Sequence, residues 1–172
     1  GAVRVRGECA ATRWGGVECP DPGGLGEREG FGAGPHAKYN ERSWGGVVAR
    51  QSASVDELFQ AYGRPESQGN RAGLRRLALR NREGVGVRFV ASRLLEFTAR
   101  RYSEDGLERA EHLSELRSDP NLHLYLDVKQ RGVGTGACGP DTLAKYRVRG
   151  GRYHFGYVLS ALGTGEGLFT SS

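Results

Sequence analysis

The sequence predicts a mainly antiparallel β domain with one modest helix, and three stretches carry that expectation. In GVGVRFVAS, Val85, Val87 and Phe89 alternate with Gly84, Gly86 and Arg88, the period of two that a half-buried strand needs. Leu122, Leu124, Leu126 and Val128 alternate with His123, Tyr125, Asp127 and Lys129, the cleanest strand in the chain. Tyr146 and Val148, then Gly150 and Gly151, then Tyr153, Phe155, Tyr157 and Leu159 read as a hairpin with a Gly-Gly turn.

The other elements follow in chain order. Residues 1–29 are rich in Gly and Pro without a sustained period and read as an irregular lead-in. Residues 30–172 carry the regular pattern, with no linker to a second domain. Ser54-Val55-Asp56-Glu57 is a capping box that starts a helical turn through Leu58 and Phe59. Leu74, Leu77 and Leu79 form a less regular apolar segment, and Asn81-Arg82-Glu83-Gly84 supplies the turn into the next strand. Ser103 and the acids Glu104 and Asp105 mark a helix start. Leu107, Ala110, Leu113 and Leu116 then recur at intervals of three, so the spacing predicts a helix over 104–116 lying on a sheet.

Length and composition bound the function. The chain has 172 residues, the size of one domain, with 37% hydrophobic residues and 28 Gly. Apolar runs stay far short of the roughly 18 residues that cross a bilayer as a helix, so no membrane partner is expected. The sequence starts at Gly1 and has no Met, which reads as a piece of a longer polypeptide. Cys9, Cys19 and Cys138 are odd in number and widely spaced, without a CxxC pair, so neither a zinc site nor a disulfide framework is predicted. With no leader resembling a signal peptide, the default compartment is the reducing cytoplasm. The net charge of +5 comes from 22 Arg and 3 Lys, an imbalance better explained by GC-rich coding than by a nucleic-acid partner.

Four features could carry chemistry. Gly134-x-Gly136-x-x-Gly139 has the letters of a dinucleotide fingerprint, but Pro140 and the strand-like AKYRVR follow where a helix N-terminus is required. His36, His112, His123 and His154 are scattered, and none has a partner at metal-ligand spacing. Arg71, Arg75, Arg76, Arg80, Arg82, Arg88, Arg93, Arg100 and Arg101 form one arginine-dense stretch, which alternation would place on a solvated face. Aromatic residues for base stacking are thin there. Finally, glycines at 132, 134, 136 and 139 give the loop Gly132–Asp141 backbone turns barred to other residues.

Several segments in order resemble the C-terminal β-sandwich, or small-chain, domain of glycoside hydrolase family 2 β-galactosidases. GFGAGPHAKYNERSWGG at 30–46 is similar to the family's G-x-G-P-x-E-x-Y-x-D-R segment, and YGRPESQGNR at 62–71 to Y-x-x-P-Q-E-x-G-N-R. YSEDGLERAEHLSEL at 102–116 resembles a family helix, and LYLDVKQRGVGTGACGPDT at 124–142 precedes the Tyr-rich end of the domain. The departures are Ala37 and Ser67 at positions usually Glu, Glu41 in place of Asp, Arg76 at a position commonly Trp, and Cys138 where many relatives carry a Trp.

The resemblance implies a galactose-mutarotase-like antiparallel supersandwich with one or two short helices. It also implies that the chemistry, retaining hydrolysis of terminal β-galactosides by two glutamates, belongs to an upstream TIM barrel that also carries Mg²⁺. This chain then holds no catalytic residue. Its partners are that barrel, the galactoside and, in some assemblies, further subunits. In relatives the loop equivalent to Gly132–Asp141 borders the sugar pocket, which makes Cys138 and Asp141 the candidate substrate-rim residues; an ordinary strand connection is the competing reading. Two other readings stand beside it. One is a stand-alone sugar-binding or mutarotase-like protein, using His123 or His154 with Asp127 as acid and base. The other is an arginine-rich nucleic-acid binder.

Overall fold

The computed structural model describes residues 2–10, 16–19, 24–41, 44, 46–61, 63–65, 68–131 and 140–169, the first two stretches by their backbone. Among the described residues eight strands, all paired antiparallel, form one sheet: β1 (Ala2–Ala10), β2 (Gly16–Cys19), β3 (Glu27–Gly34), β4 (Val47–Ser54), β5 (Arg71–Arg80), β6 (Gly86–Arg100), β7 (Leu122–Asp127) and β8 (Arg152–Leu162). The main path runs β1-β8-β6-β5-β3-β4, while β7 pairs with the far end of β6 and β2 with β7. This is the mainly antiparallel β architecture that the alternating patterns predict.

β6 organises the molecule. Its first part, Gly86–Ala91, pairs with β8, and its last part, Glu96–Arg100, pairs with β7. Between the pairs Arg76–Val90 and Leu74–Leu95, β5 covers two steps (74 to 76) while β6 covers five (90 to 95), so β6 bulges through Ser92, Arg93 and Leu94, which are exposed. The bulge re-aims the strand. Leu74, Leu77 and Leu79 of β5, Phe89, Leu95 and Phe97 of β6, and Leu122, Leu124 and Leu126 of β7 then share one apolar core, with both parts of β6 contributing. A smaller cluster of Ala78, Leu162 and Leu168 packs elsewhere, with Phe31 against it.

Local chemistry explains the connections. The Asn81 Oδ1 accepts hydrogen bonds from the Glu83 and Val85 amides at 3.1 and 3.0 Å, and Gly84 takes φ = 82°, closing the β5–β6 turn where the sequence predicts it. Just after it, Gly86 passes so close to β5 that a Cβ would sit 1.8 Å from the Leu79 carbonyl oxygen and 2.8 Å from its carbon. Both are backbone atoms that cannot rotate away. Gly86→Ala is therefore expected to cost about 1–3 kcal/mol of stability, measured as a lower urea midpoint. A midpoint equal to the parent's would show that the turn shifts freely.

Four sequence-based expectations need correction. The predicted helix over 104–116 is two pieces, α1 (Glu104–Arg109) and a 3₁₀ turn at Leu113–Glu115. The Ser103 Oγ caps α1 at the Gly106 amide (3.1 Å), but the Glu115 carboxylate then accepts from the Glu111 and His112 amides and starts a new turn. Leu107 and Ala110 are buried, whereas Leu113 is exposed, so the intervals of three did not mark one face. The Gly-Gly hairpin is absent: Ala144–Tyr146 is a 3₁₀ turn, and AKYRVR is not a strand. β1 runs along one edge of β8, and on the other β6 pairs with Tyr157–Leu162, beyond which Ser92 and Arg93 of the bulge donate to the carbonyls of Gly156 and His154. Within residues 1–29, read as irregular, lie β1, β2 and the start of β3. The capping box at Ser54 does form, with the Glu57 Oε2 accepting from the Ser54 amide at 2.7 Å, but its helical turn is the single 3₁₀ turn Asp56–Leu58.

Candidate functional site

Beyond the bulge both faces of β6 are buried. Leu95, Phe97 and Ala99 enter the apolar core, which turns Glu96, Thr98 and Arg100 to the opposite face. Register sets them beside β7 residues of the same face: Glu96 opposite Asp127, Thr98 opposite Tyr125, and Arg100 opposite His123. The result is a polar layer rather than a solvated surface. Glu96, Thr98, Arg100 and His123 are all at most 4% exposed.

Glu96 lies at its centre. The Asn40 Nδ2 donates to Oε1 at 2.5 Å and the Asn70 Nδ2 to Oε2 at 2.6 Å, while Asn70 also donates to the Lys38 carbonyl at 2.8 Å. Three chain segments thus meet on one carboxyl group. Burial pushes Glu96 up to about 7 and the Asp127 charge adds to that, while hydrogen bonds from Asn70, the Gln130 backbone and Asn40 work against it. Asp127 accepts from the Gln130 Nε2 at 2.6 Å. Next to this pair, Arg100 donates to the carbonyls of Tyr102 (3.1 Å) and Gln68 (3.4 Å), pairs with Glu104, and lies 4.9 Å from the Tyr125 ring centroid.

Beyond Gln130 lies the segment Gly132–Asp141, of which the structure describes Pro140 and Asp141. Its two ends are tied together: Arg131 pairs with Asp141, the Arg147 Nη2 lies 3.1 Å from the other Asp141 oxygen, and the Arg147 Nε donates to the Thr142 carbonyl at 2.9 Å. The Arg131 Nε also donates to the Thr142 hydroxyl at 3.3 Å. Asp141, a candidate rim residue, is thus the ionic clamp at the loop base. Cys138 and the glycines of the fingerprint-like run lie outside the described residues. The clamp was not visible in the sequence: Arg131 and Asp141 lie within the family-like segment 124–142, but nothing in their spacing pairs them with each other or with Arg147, which lies outside it.

The His123 Nε2 lies 3.0 Å from Asp119, whose carboxyl is held below its usual range chiefly by the Asn121 amide and then by His123. Asp127 faces Glu96 and Gln130 instead, and the His154 carbonyl accepts from Arg93 at 3.1 Å. The arginine-dense stretch serves the fold. Arg75, Arg76, Arg80, Arg93 and Arg101 donate to the carbonyls of Gly73, Leu168, Gly84 and Glu166, His154, and Pro120 and Leu25 respectively, and Arg88 to the Ser160 hydroxyl. Among the described residues no three His, Cys, Asp or Glu side chains converge.

Among the described residues, an antiparallel β fold with a buried polar layer and the Arg131–Asp141–Arg147 ionic clamp defines a β-sandwich domain. The family model described as "Beta galactosidase small chain" matches residues 13–159, and the chain belongs to that family. Among similar proteins, the beta-galactosidase of Arthrobacter sp. is 31% identical over 124 residues, 69% of this chain and 12% of the relative. That of Vibrio cholerae is 36% identical over 104 residues, 60% of this chain and 10% of its own. That of Halalkalibacterium halodurans is 28% identical over 172 residues, 94% of this chain and 16% of its own. The chain therefore spans only about a tenth to a sixth of these relatives. They favour neither the mutarotase-like nor the nucleic-acid reading.

Proposed function

We propose that this chain is the small-chain part of a β-galactosidase that hydrolyses terminal non-reducing β-D-galactosides with retention. The observation that supports it is the family match across residues 13–159, joined to relatives of that name whose lengths the chain spans only in small part. In this reading the chemistry lies on a TIM barrel outside these residues. One glutamate there attacks the anomeric carbon and the other acts as acid and then base, about 5–5.5 Å apart. Mg²⁺ would sit on that barrel, the compartment would be the cytoplasm, and the partners would be the barrel and sister subunits.

This chain's own contribution is to border the sugar. The Arg131–Asp141–Arg147 clamp fixes both ends of the loop that would carry Cys138 to the rim. A thiol offers no stacking face, so Cys138→Trp in the whole enzyme is expected to lower the KM for galactosides by about two- to tenfold. An unchanged or raised KM would remove Cys138 from the rim.

The first test is the size of the native polypeptide, blotted with an antibody against residues 100–160. A band several times larger than 18.7 kDa that co-purifies with hydrolysis of a chromogenic β-galactoside supports the proposal. A band near that mass without such activity overturns it.

A further inference from the structure

A small cavity of about 10 Å³ opens beside β3, lined by Arg28, Arg71, Phe31, Gln51, Leu74 and Phe97 among others. That is room for one water-sized species. Both arginines are deeply buried, at 4% and 3% exposure. The Arg71 Nη1 donates to the carbonyls of Gly69 (2.5 Å) and Leu58 (3.4 Å), and its Nη2 to that of Pro35 (3.3 Å). Arg28 lies 5.7 Å from the centroid of the Phe97 ring. Among the described residues the Nε of each guanidinium has no hydrogen-bond acceptor, and no Asp or Glu lines the cavity.

Carbonyl dipoles and an aromatic face soften the burial of a cation but bring no negative charge. Two buried cations that face one void, with no counter-ion among the described residues, are costly. The cost registers in both groups: burial, then repulsion from Arg28, brings Arg71 down to about 10, and burial lowers Arg28. A water molecule could accept from both Nε–H groups but would leave the charge uncompensated. A phosphate or sulfate is too large for the space.

We propose that this cavity is a site for a small spherical monovalent anion of the halide class, chloride in the cell, which accepts from the Nε–H of Arg28 and of Arg71 and balances their charge. The anion then ties β3 to β5, the two strands that carry these arginines. Nothing in this assignment depends on the galactosidase reading.

Bromide is the probe. Crystals of the whole chain grown in sodium bromide should show an anomalous peak within hydrogen-bond reach of both Nε atoms. In solution, replacing sodium gluconate by sodium bromide at constant ionic strength should raise the melting temperature by about 5 °C and saturate as one site. Arg28→Met should abolish that dependence; if this variant does not fold, the two measurements on the parent protein decide. A water or a carboxylate of the chain itself at the position, or equal melting in the two salts, overturns the proposal. So does a peak without the solution shift, which means an adventitious ion only.

Discussion

Arg100→Ala should be among the most destabilising single substitutions in the chain, lowering the free energy of unfolding by about 3–5 kcal/mol. The side chain is 2% exposed, and its guanidinium serves the carbonyls of Tyr102 and Gln68, the Glu104 carboxylate and the Tyr125 ring at once. Alanine removes these partners together. It leaves carbonyls without a donor, a carboxylate without its cation, and a hole between β6, β7 and the start of α1. Arg100→Lys separates charge from geometry. An ammonium keeps the attraction to Glu104, but it is a point charge and cannot reach carbonyls on two sides as the planar guanidinium does. Lysine should therefore recover less than half of the loss. Urea unfolding with an unchanged slope measures both variants. If lysine restores full stability, Arg100 acts only through its charge.

That residue also shows which parts of the fold the sequence disclosed. β7 and the start of β6 were legible because apolar and polar residues alternate along them, although the polar face is itself largely buried at His123, Asp127 and Arg88. From Leu95 to Arg100 apolar and polar residues alternate as well, but the consecutive Leu94 and Leu95 at the bulge interrupt the pattern that runs up to it, and the polar face is buried too. The uneven spacing of Leu74, Leu77 and Leu79 looked like a weak strand. It is the record, on β5, of the irregular register opposite the β6 bulge. The arginines misled in the other direction. A dense basic stretch reads as a surface, yet these side chains mostly cap carbonyls across strands and turns, a pairing with no sequence period. The hairpin at Gly150-Gly151 failed because turn chemistry does not say which strand edges are already occupied.

The polar centre was half legible. Lys38 and Asn40 lie in the first family-like segment, and Asn70 and Arg71 close the second. Resemblance flagged those segments without giving a reason for them, and the structure supplies one: Asn40 and Asn70 both donate to Glu96. Glu96 itself belongs to none of the quoted segments. Its signal was an acid in LLEFTA, alternating with Thr98 between Leu95, Phe97 and Ala99, which is ambiguous until the bulge fixes the facing.

Glu96 should make the domain lose stability as pH rises through the range just below neutrality. Its folded value is about 7 against an ordinary 4.5, so the folded state holds the proton more tightly than the unfolded chain does. Below pH 4.5 the group is protonated in both states and contributes no slope. Between pH 4.5 and 7 the unfolded chain ionises first, and stability falls; above 7 both states are ionised and the loss, about 3 kcal/mol, is complete. Glu57, Glu115 and Asp119 are shifted down, so their contributions fade at lower pH, outside this window. Asn40 can follow the change, because among the described residues its amide bonds to Glu96, and turning that amide would offer an oxygen to the protonated acid. The orientation of Asn70 is fixed by its second bond, to the Lys38 carbonyl. Glu96→Gln removes the titration while keeping shape and one acceptor. The parent's melting temperature should therefore drop by several degrees from pH 5 to pH 8, and the variant's should stay nearly level. Equal slopes in the two proteins would place the proton on another group, with Asp127, its partner across β6 and β7, the first to replace next.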